Sequence, residues 1–222
     1  MSNFYVIATP IGNLEDVSLR TLSVLANVNF ILAEDTRVTK RLLDRYNIRG
    51  KRLISYHQHS NIKKTDQIVK IVREEDVAMV SDAGTPGIND PGGKLIEILV
   101  KEIPSLRIIP IPGAFAAAAA LSISGFPADK FVFMGFPPHK KGRSTFFKRL
   151  AGYDQTVVFY ESPHRIIKTL QELTPFIRKL VVARELTKQF ETIYRGEAEE
   201  ILRELGDSPR GEFVVVVASS KL

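Results

Sequence analysis

Short apolar runs alternate with amphipathic stretches through the first half of the chain. The runs are rich in Val, Ile, Leu and Phe, a composition typical of buried strands, and they cover residues 4–8, 30–33, 53–56, 77–80 and 106–109. Between them, apolar residues recur at helical spacing, as in residues 18–26, 38–46 and 62–72. Strands that alternate with helices predict an α/β fold with a mainly parallel sheet and helices on both of its faces.

The second half of the chain has similar apolar runs but a different predicted topology. Strands are predicted over residues 131–134, 156–160, 180–183 and 212–218. Residues 191–195 alternate in polarity, which favours an antiparallel neighbour and therefore a mixed sheet. The halves meet at Pro110, Ile111, Pro112 and Gly113, a stiff segment typical of a junction. We therefore predict two α/β domains, residues 1–111 and 112–222.

Residues 80–93 form the loop most crowded with Gly, Pro and Asp, and they lie between a predicted strand and a predicted helix. Open α/β sheets bind ligands at the carboxyl ends of their strands, where glycines let the backbone approach a ligand closely. We interpret this loop as a ligand-binding element, with a turn-rich connection as the alternative. Its spacing is neither G-x-G-x-x-G nor that of a Walker loop, so it predicts neither a dinucleotide nor a triphosphate.

The composition excludes several classes of protein. The 222 residues include no cysteine and only four histidines, which excludes disulfides and Cys-ligated metals and gives no basis for a metal site. No apolar run is long enough to span a membrane and no signal peptide is evident, so we expect a cytoplasmic protein without a membrane partner. The sequence also lacks the G-x-S-x-G and H-E-x-x-H motifs of common hydrolases.

Positive charge is concentrated in two stretches of a chain whose formal net charge is +6. Residues 37–52 and 139–149 are rich in Lys and Arg, and each stretch lies beside a predicted ligand loop. Such clusters favour a phosphate-rich partner, although a basic helix face can also simply be solvated.

Several short motifs carry a family resemblance. They are PIGNL at 10–14, AEDTR at 33–37, SDAGTP at 81–86, YESPHR at 160–165, ARELTK at 183–188 and RGEF at 210–213. In this order, over nearly the whole chain, they resemble the small subunit rRNA methyltransferases of the tetrapyrrole methylase superfamily. Tetrapyrrole enzymes typically have Gly-Asp-Pro where this chain has Gly84, Thr85 and Pro86, as the rRNA-modifying branch does. Longer members carry a C-terminal helical extension, which we expect this chain to lack.

The resemblance implies two α/β domains of the tetrapyrrole methylase type with S-adenosylmethionine in a cleft between them, and a homodimer. It also implies methylation of the ribose 2′-oxygen of a cytidine in the decoding region of 16S rRNA. The donor contacts that it implies are Pro10, Gly12, Asn13, Asp82, Ala83, Gly84, Thr85, Pro86, Ile88, Phe115, Ala116, Tyr160, Ala183, Arg184 and Glu212.

Two residues in the matched motifs are candidates for the catalytic step, because a ribose hydroxyl is a poor nucleophile and benefits from a base or a cation. Asp35 is the first candidate, with capping of the following helix as the alternative. Lys188 is the second, as a base if its pKa is lowered or as a cation that stabilises the developing alkoxide. An RNA phosphate contact is the alternative role for Lys188.

The basic stretches supply the candidate RNA contacts. The expected contacts to the RNA backbone are Arg37, Lys40, Arg41, Lys140, Lys141 and Arg143. His57 and His59 are candidates for contacting the target nucleotide or its ribose, with ordinary loop histidines as the alternative.

Two other functions stay open at the level of sequence. One is methylation of a tetrapyrrole or a protein side chain by the same fold, which would not require the basic clusters. The other is a non-catalytic RNA-binding module, which would not require intact motifs at residues 81–86 and 183–188.

Overall fold

The computed structural model describes residues 2–57, 62–90 and 92–220. They form two compact units, Met1–Phe115 and Ala116–Leu222, which we call the first and second units. The domain junction predicted from the sequence, between residues 111 and 112, lies just before this division.

The first unit is built around a parallel sheet of five strands. The strands are β1 (Asn3–Ile7), β2 (Phe30–Ala33), β3 (Arg52–Ser55), β4 (Val77–Val80) and β5 (Arg107–Ile111). The helices are α1 (Leu19–Asn27), α2 (Thr36–Arg45), α3 (Ile62–Glu74) and α4 (Gly93–Glu102). The strands lie in the order β3-β2-β4-β1-β5, so the carboxyl ends of β2, β4 and β1 are neighbours at one edge of the sheet.

The core of the first unit lies on both faces of this sheet. Val77 and Met79 of β4 pack into one cluster, whereas Ala78 and Val80 pack into another on the opposite face. All four residues are buried, because side chains alternate across a strand and helices cover both faces. The parallel sheet predicted from the apolar runs is therefore present.

The second unit contains a mixed sheet of five strands in the order β6-β7-β10-β8-β9. The strands are β6 (Phe131–Phe133), β7 (Thr156–Glu161), β8 (Leu180–Arg184), β9 (Thr192–Gly196) and β10 (Phe213–Val217). The helices are α5 (Ala116–Ser122), α6 (Arg143–Ala151), α7 (Ile166–Leu173) and α8 (Ala198–Leu205). The β6–β7 pair is parallel, whereas β10 is antiparallel to both β7 and β8, and β9 is antiparallel to β8.

Aromatic residues form the centre of the core of the second unit. Phe159 is fully buried, and its ring lies edge-on to those of Phe146 and Phe147, with centroids 5.7 and 6.5 Å away. Such edge-to-face pairs add to the stabilisation that burial itself provides. Within residues 2–57, 62–90 and 92–220, no helix combines the length and apolar character that a membrane crossing requires.

Phe159→Ala is expected to destabilise the second unit by about 3–5 kcal/mol, because it removes a fully buried ring and leaves a cavity. Phe190→Ala is the control, since 68% of Phe190 is exposed, and should change stability by no more than about 0.5 kcal/mol. Urea unfolding monitored by circular dichroism would measure both changes. Equal losses in the two variants would contradict this account of the core.

Candidate functional site

The loops after β1 and β4 of the first unit are joined by hydrogen bonds. Thr9 and Gly84 form an isolated bridge, with N–H to O distances of 2.9 and 3.0 Å in the two directions. The Thr9 hydroxyl also donates to the Ser81 carbonyl at 3.0 Å, and the Ser81 hydroxyl donates to the Gly84 carbonyl at 3.1 Å. Thr85 extends the connection by donating to the Ala114 carbonyl at 3.1 Å. Hydrogen bonds therefore join the two loops, both of which the sequence predicts to bind the methyl donor. They also join the second loop to Ala114, which lies just before the boundary of the first unit.

Several of the predicted donor-binding residues in and near these loops are exposed to solvent, and others are buried. Gly12, Asn13, Ala83 and Ile88 are exposed, and Asp82, Thr85 and Phe115 are partly exposed. Pro10, Gly84 and Pro86 are buried. Gly84 adopts a φ of 84°, a left-handed backbone conformation that favours glycine over other residues. The bridge to Thr9 is therefore built on a position where a side chain would be strained.

Carboxylates gather where β2 and β4 end. Oδ1 of Asp82 accepts the backbone N–H of Asp35 at 2.8 Å, which joins the two strand ends. Burial, and then the nearby Asp82 carboxylate, raise the pKa of Glu34. Burial, followed by Glu34 and Asp82, raises the pKa of Asp90 to about 6. Among the residues that the structure describes, no group of three or more His, Cys, Asp or Glu side chains could hold a metal ion.

Asp35 has the capping role that was the alternative to catalysis. Its side chain accepts the backbone N–H of Arg37 at 2.8 Å at the start of α2, and the Arg37 guanidinium contacts the same carboxylate at 2.5 Å. Hydrogen bonds from the Arg37 side chain and backbone lower the pKa of Asp35 to about 2. A carboxylate with so low a pKa is a weak base near neutral pH, so the structure favours the cap.

The first basic stretch presents cations on the exposed face of α2. Lys40 and Arg41 are exposed, and the Arg37 side chain is 85% exposed despite its ion pair with Asp35. His57 is also exposed, after β3. His59 lies outside the described residues.

In the second unit, the topology of β10 brings three matched motifs together. Phe213, the first residue of β10, lies opposite Glu161 at the end of β7 and opposite Arg184 at the end of β8. Residues 160–165, 183–188 and 210–213 therefore meet at one edge of the sheet, although they are distant in sequence. Tyr160 is partly exposed and Ala183 is buried, whereas Ala116, at the start of α5, is partly exposed.

Lys188 is held at this edge between two carboxylates. Its Nζ lies 3.0 Å from Oε1 of Glu185 and 2.8 Å from Oε2 of Glu212. Burial acts to lower the pKa of Lys188, but the hydrogen bonds to Glu212 and Glu185 outweigh it and raise the pKa overall. Lys188 is therefore a fixed cation rather than a base at neutral pH.

Glu185 organises this arrangement and was not among the sequence-predicted site residues. Its carboxylate accepts the Glu212 backbone N–H at 2.8 Å as well as the Lys188 ammonium, and these bonds outweigh burial and lower its pKa. Glu185 has a φ of 51°, and Thr187 a φ of 65°, so the turn after β8 is strained. The sequence contains one hint, Gly211, because a Cβ at that position would lie 2.6 Å from Cδ of Glu185.

The second basic stretch separates into exposed and buried residues. Lys140 and Lys141 are exposed, as expected for RNA contacts. Arg143 is only 4% exposed, and its guanidinium pairs with Glu172 at 2.7 Å and with Glu161 at 3.6 Å. The expectation that Arg143 contacts RNA phosphate is therefore not supported, because its charge is neutralised inside the unit.

Comparison with known proteins gives matches over nearly the whole chain. Residues 3–202 match the family Tetrapyrrole (Corrin/Porphyrin) Methylases. The Ribosomal RNA small subunit methyltransferase I of Thermotoga maritima is 40% identical over 100% of both chains. The protein of that name from Hydrogenobaculum sp. is 42% identical over 96% of this chain and 94% of its own. The one from Escherichia coli O157:H7 is 40% identical over 98% of this chain and 78% of its own.

Solved structures share the fold at low identity. Diphthine synthase has a TM-score of 0.72 at 13% identity and covers 98% of this chain and 90% of its own. The cobalamin biosynthetic enzyme cobalt precorrin-4 methyltransferase has a TM-score of 0.71 at 18% identity, covering 97% of this chain and 94% of its own.

Gly211→Ala is expected to displace the Glu185 side chain and to lower the pKa of Lys188, because Lys188 would lose one of its two carboxylate partners. Gly206→Ala is a matched control. Gly206 also has a positive φ, of 72°, but a Cβ there meets nothing within 4 Å, so that variant has only the backbone strain. NMR titration of the Lys188 side chain would measure the shift. The same Lys188 pKa in both variants would contradict the arrangement.

The pKa of Asp90 predicts a pH-dependent stability of the first unit. Because the folded-state pKa is about 6 and the ordinary value is 3.8, the unfolded chain releases this proton first as pH rises. Ionisation of Asp90 therefore destabilises the folded protein. The loss of stability develops as the pH rises from 3.8 to about 6 and is complete above that range.

The change in the free energy of unfolding caused by Asp90→Asn should therefore be more favourable at pH 7.5 than at pH 4, because the amide cannot ionise. Urea unfolding at the two pH values would show this difference. Asp66→Asn, which removes a carboxylate at an exposed position of α3 outside this cluster, is the control. An Asp90→Asn effect that differs no more between the two pH values than the effect of Asp66→Asn would contradict the prediction.

Proposed function

Because this chain belongs to the tetrapyrrole methylase family, we propose that it methylates the RNA of the small ribosomal subunit with S-adenosylmethionine as the methyl donor. The family, the α/β fold and the methyltransferase class predicted from the sequence are confirmed by the matches. One observation carries the choice of substrate. Relatives that are 40 to 44% identical over 96 to 100% of this chain share the name of a small subunit rRNA methyltransferase.

The finer details remain predictions from the resemblance. We propose the ribose 2′-oxygen of a cytidine in the decoding region of 16S rRNA as the acceptor. A homodimer that acts in the cytoplasm is part of the same proposal. We propose no metal cofactor, since a methyl group on a sulfonium is already activated and its transfer depends chiefly on alignment.

The residues at the carboxyl ends of the first-unit strands fit such a donor. S-adenosylmethionine supplies a methyl group on a positively charged sulfur. Ala83 and Ile88 expose small or apolar surface, and the Glu34 and Asp82 carboxylates supply negative charge that suits a cationic ligand. The loop bridge between Thr9 and Gly84 would hold these groups in place before the donor arrives.

Lys188 is proposed to stabilise the negative charge that develops on the acceptor oxygen. An ammonium has three N–H donors, and the described contacts to Glu185 and Glu212 use two of them. The remaining donor would bind the ribose oxygen, and the raised pKa keeps the charge in place at neutral pH. Asp35 is not retained as a base, because it caps α2.

The exposed cations are proposed to bind the RNA backbone. In the first unit these are Arg37, Lys40 and Arg41, and in the second unit Lys140 and Lys141. His57, which is exposed after β3, is proposed instead to contact the target nucleotide or its ribose. Each phosphate contact adds affinity that decreases as salt concentration rises. Arg143 is not included among these contacts because it is buried.

Lys188→Ala is expected to lower kcat for methylation of small ribosomal subunits by about 10²–10³-fold, the usual effect of removing a group that stabilises transition-state charge. Calorimetric titration should show nearly unchanged binding of S-adenosylmethionine. Transfer of radiolabelled methyl groups would give kcat, and alkaline hydrolysis of the product would show whether the ribose carries the methyl group. Lys168→Ala, at an exposed position of α7, is the control and should retain full activity.

Two results would contradict the proposal. Wild-type protein that binds S-adenosylmethionine but transfers no methyl group to small subunits would overturn rRNA as the substrate. A Lys188→Ala variant with the full kcat would remove Lys188 from the catalytic step and leave the substrate proposal intact.

A further inference from the structure

Glu161 is a buried charge at the end of β7 that the proposed reaction does not use. Its side chain is 0% exposed, and both carboxylate oxygens are bonded. Oε1 accepts the Ser162 backbone N–H at 2.8 Å and lies 2.8 Å from Nη2 of Arg165. Oε2 accepts the Thr169 hydroxyl at 2.5 Å and lies 3.6 Å from Nη1 of Arg143. Glu161 is therefore the centre of a buried network that includes two arginines.

Both arginines also bind the backbone of one segment, residues 135–142. Nη1 of Arg165 donates to the Pro137 carbonyl at 2.8 Å, and Nη1 of Arg143 contacts the Pro138 carbonyl at 3.4 Å. The Tyr160 backbone N–H adds a bond to the Gly135 carbonyl at 2.9 Å. Consecutive carbonyls of the segment are thus tied to the same buried carboxylate through guanidinium groups.

A buried ionic network is a costly way to fill space. Removing charged groups from water is energetically costly, and apolar residues of similar size often stabilise a core as well or better. The network does, however, fix geometry, because a guanidinium directs its donors in a rigid planar fork. We therefore infer that these charges are buried because they fix the position of their hydrogen-bond partners. The partners that they fix are the backbone carbonyls of residues 135–142.

The oriented segment exposes groups suited to RNA. Phe136 is 48% exposed, and its ring lies 5.4 Å from that of Tyr160. Lys140 and Lys141 are exposed later in the same segment. An exposed aromatic face next to cations is the combination that binds unpaired nucleotides, by stacking on the base and by attraction to the phosphates.

We propose that Glu161, Arg143 and Arg165 are positioning residues that hold residues 135–142 as a binding segment for unpaired nucleotides of the substrate RNA. This inference rests on the proposed function, because it assigns the segment to the same RNA. Phe136 stacks on a base and the two lysines contact phosphates. The buried network acts through the segment and does not touch the substrate itself.

Arg165→Lys tests the positioning role. Lysine keeps the charge that Glu161 needs but cannot reproduce the fork that reaches both Glu161 and the Pro137 carbonyl. The KM for small subunits should rise on the order of tenfold, with little change in kcat or in donor binding. Arg178→Lys is the matched control, because Arg178 donates to the carbonyls of Ala151 and Tyr153 and not to the segment. It should leave the KM unchanged.

A double-mutant cycle separates positioning from general stability. Lys140→Ala combined with Lys141→Ala should weaken RNA binding and reduce the salt dependence, with a slope change of about 1 to 2 for two lost phosphate contacts. In the Arg165→Lys background the same double substitution should cost much less, because the lysines are already misplaced. Purely additive effects, or an unchanged KM in Arg165→Lys, would overturn the inference.

Hydrogen exchange provides a measurement that does not depend on activity. Arg165→Lys should accelerate amide exchange within residues 135–142 and leave the strands of the second unit protected. Acceleration throughout the unit would overturn the positioning role, since it would show only a loss of stability. Wild-type protein that does not bind small subunits would overturn the proposed function and this inference together, whereas normal wild-type methylation with additive variants would overturn the inference alone.

Discussion

The antiparallel placement of β10 between β7 and β8 is the constraint on which the second unit depends. This pairing puts the start of one strand beside the ends of two others, so Phe213 is opposite both Glu161 and Arg184. Charged residues that are distant in sequence consequently share one sheet edge, where their charges must be compensated. Lys188 is compensated by Glu185 and Glu212 at the exposed side of that edge. The geometry of the proposed catalytic cation is therefore a consequence of sheet register.

Depth of burial decides which charged pairs organise the structure. The Asp35–Arg37 pair has a contact of 2.5 Å, but the Arg37 side chain is 85% exposed, so water screens the pair and it fixes little beyond the start of α2. Glu161 is fully buried and has no such screening. Its partners must stay in place, and through them the backbone of residues 135–142 stays in place as well. A surface ion pair and a buried one thus have different consequences at similar distances.

The strands and their order of appearance could be predicted because burial leaves a direct trace in sequence. β4 and β10 are uninterrupted apolar runs, as strands covered on both faces must be. Side-chain roles leave no such trace. Arg143 belongs to a run of basic residues, and its inward orientation is seen only in the folded chain, where it bonds to Thr169, 26 residues away, and pairs with Glu161 and Glu172. The role of Glu185 depends on the backbone of Glu212 and on the absence of a side chain at Gly211, and these contacts exist only in the folded chain.

Substrate choice within this fold cannot come from the sheets. Diphthine synthase and cobalt precorrin-4 methyltransferase share the architecture with TM-scores of 0.72 and 0.71, yet their names describe different acceptors. The differences must lie outside the sheets, in segments whose backbone the core supports but whose exposed side chains it does not fix. Residues 135–142 have these properties, since their exposed side chains can change while Glu161, Arg143 and Arg165 keep the backbone in position. Because the buried network fixes the backbone rather than the exposed side chains, we expect substrate choice in this chain to depend on the exposed side chains of residues 135–142.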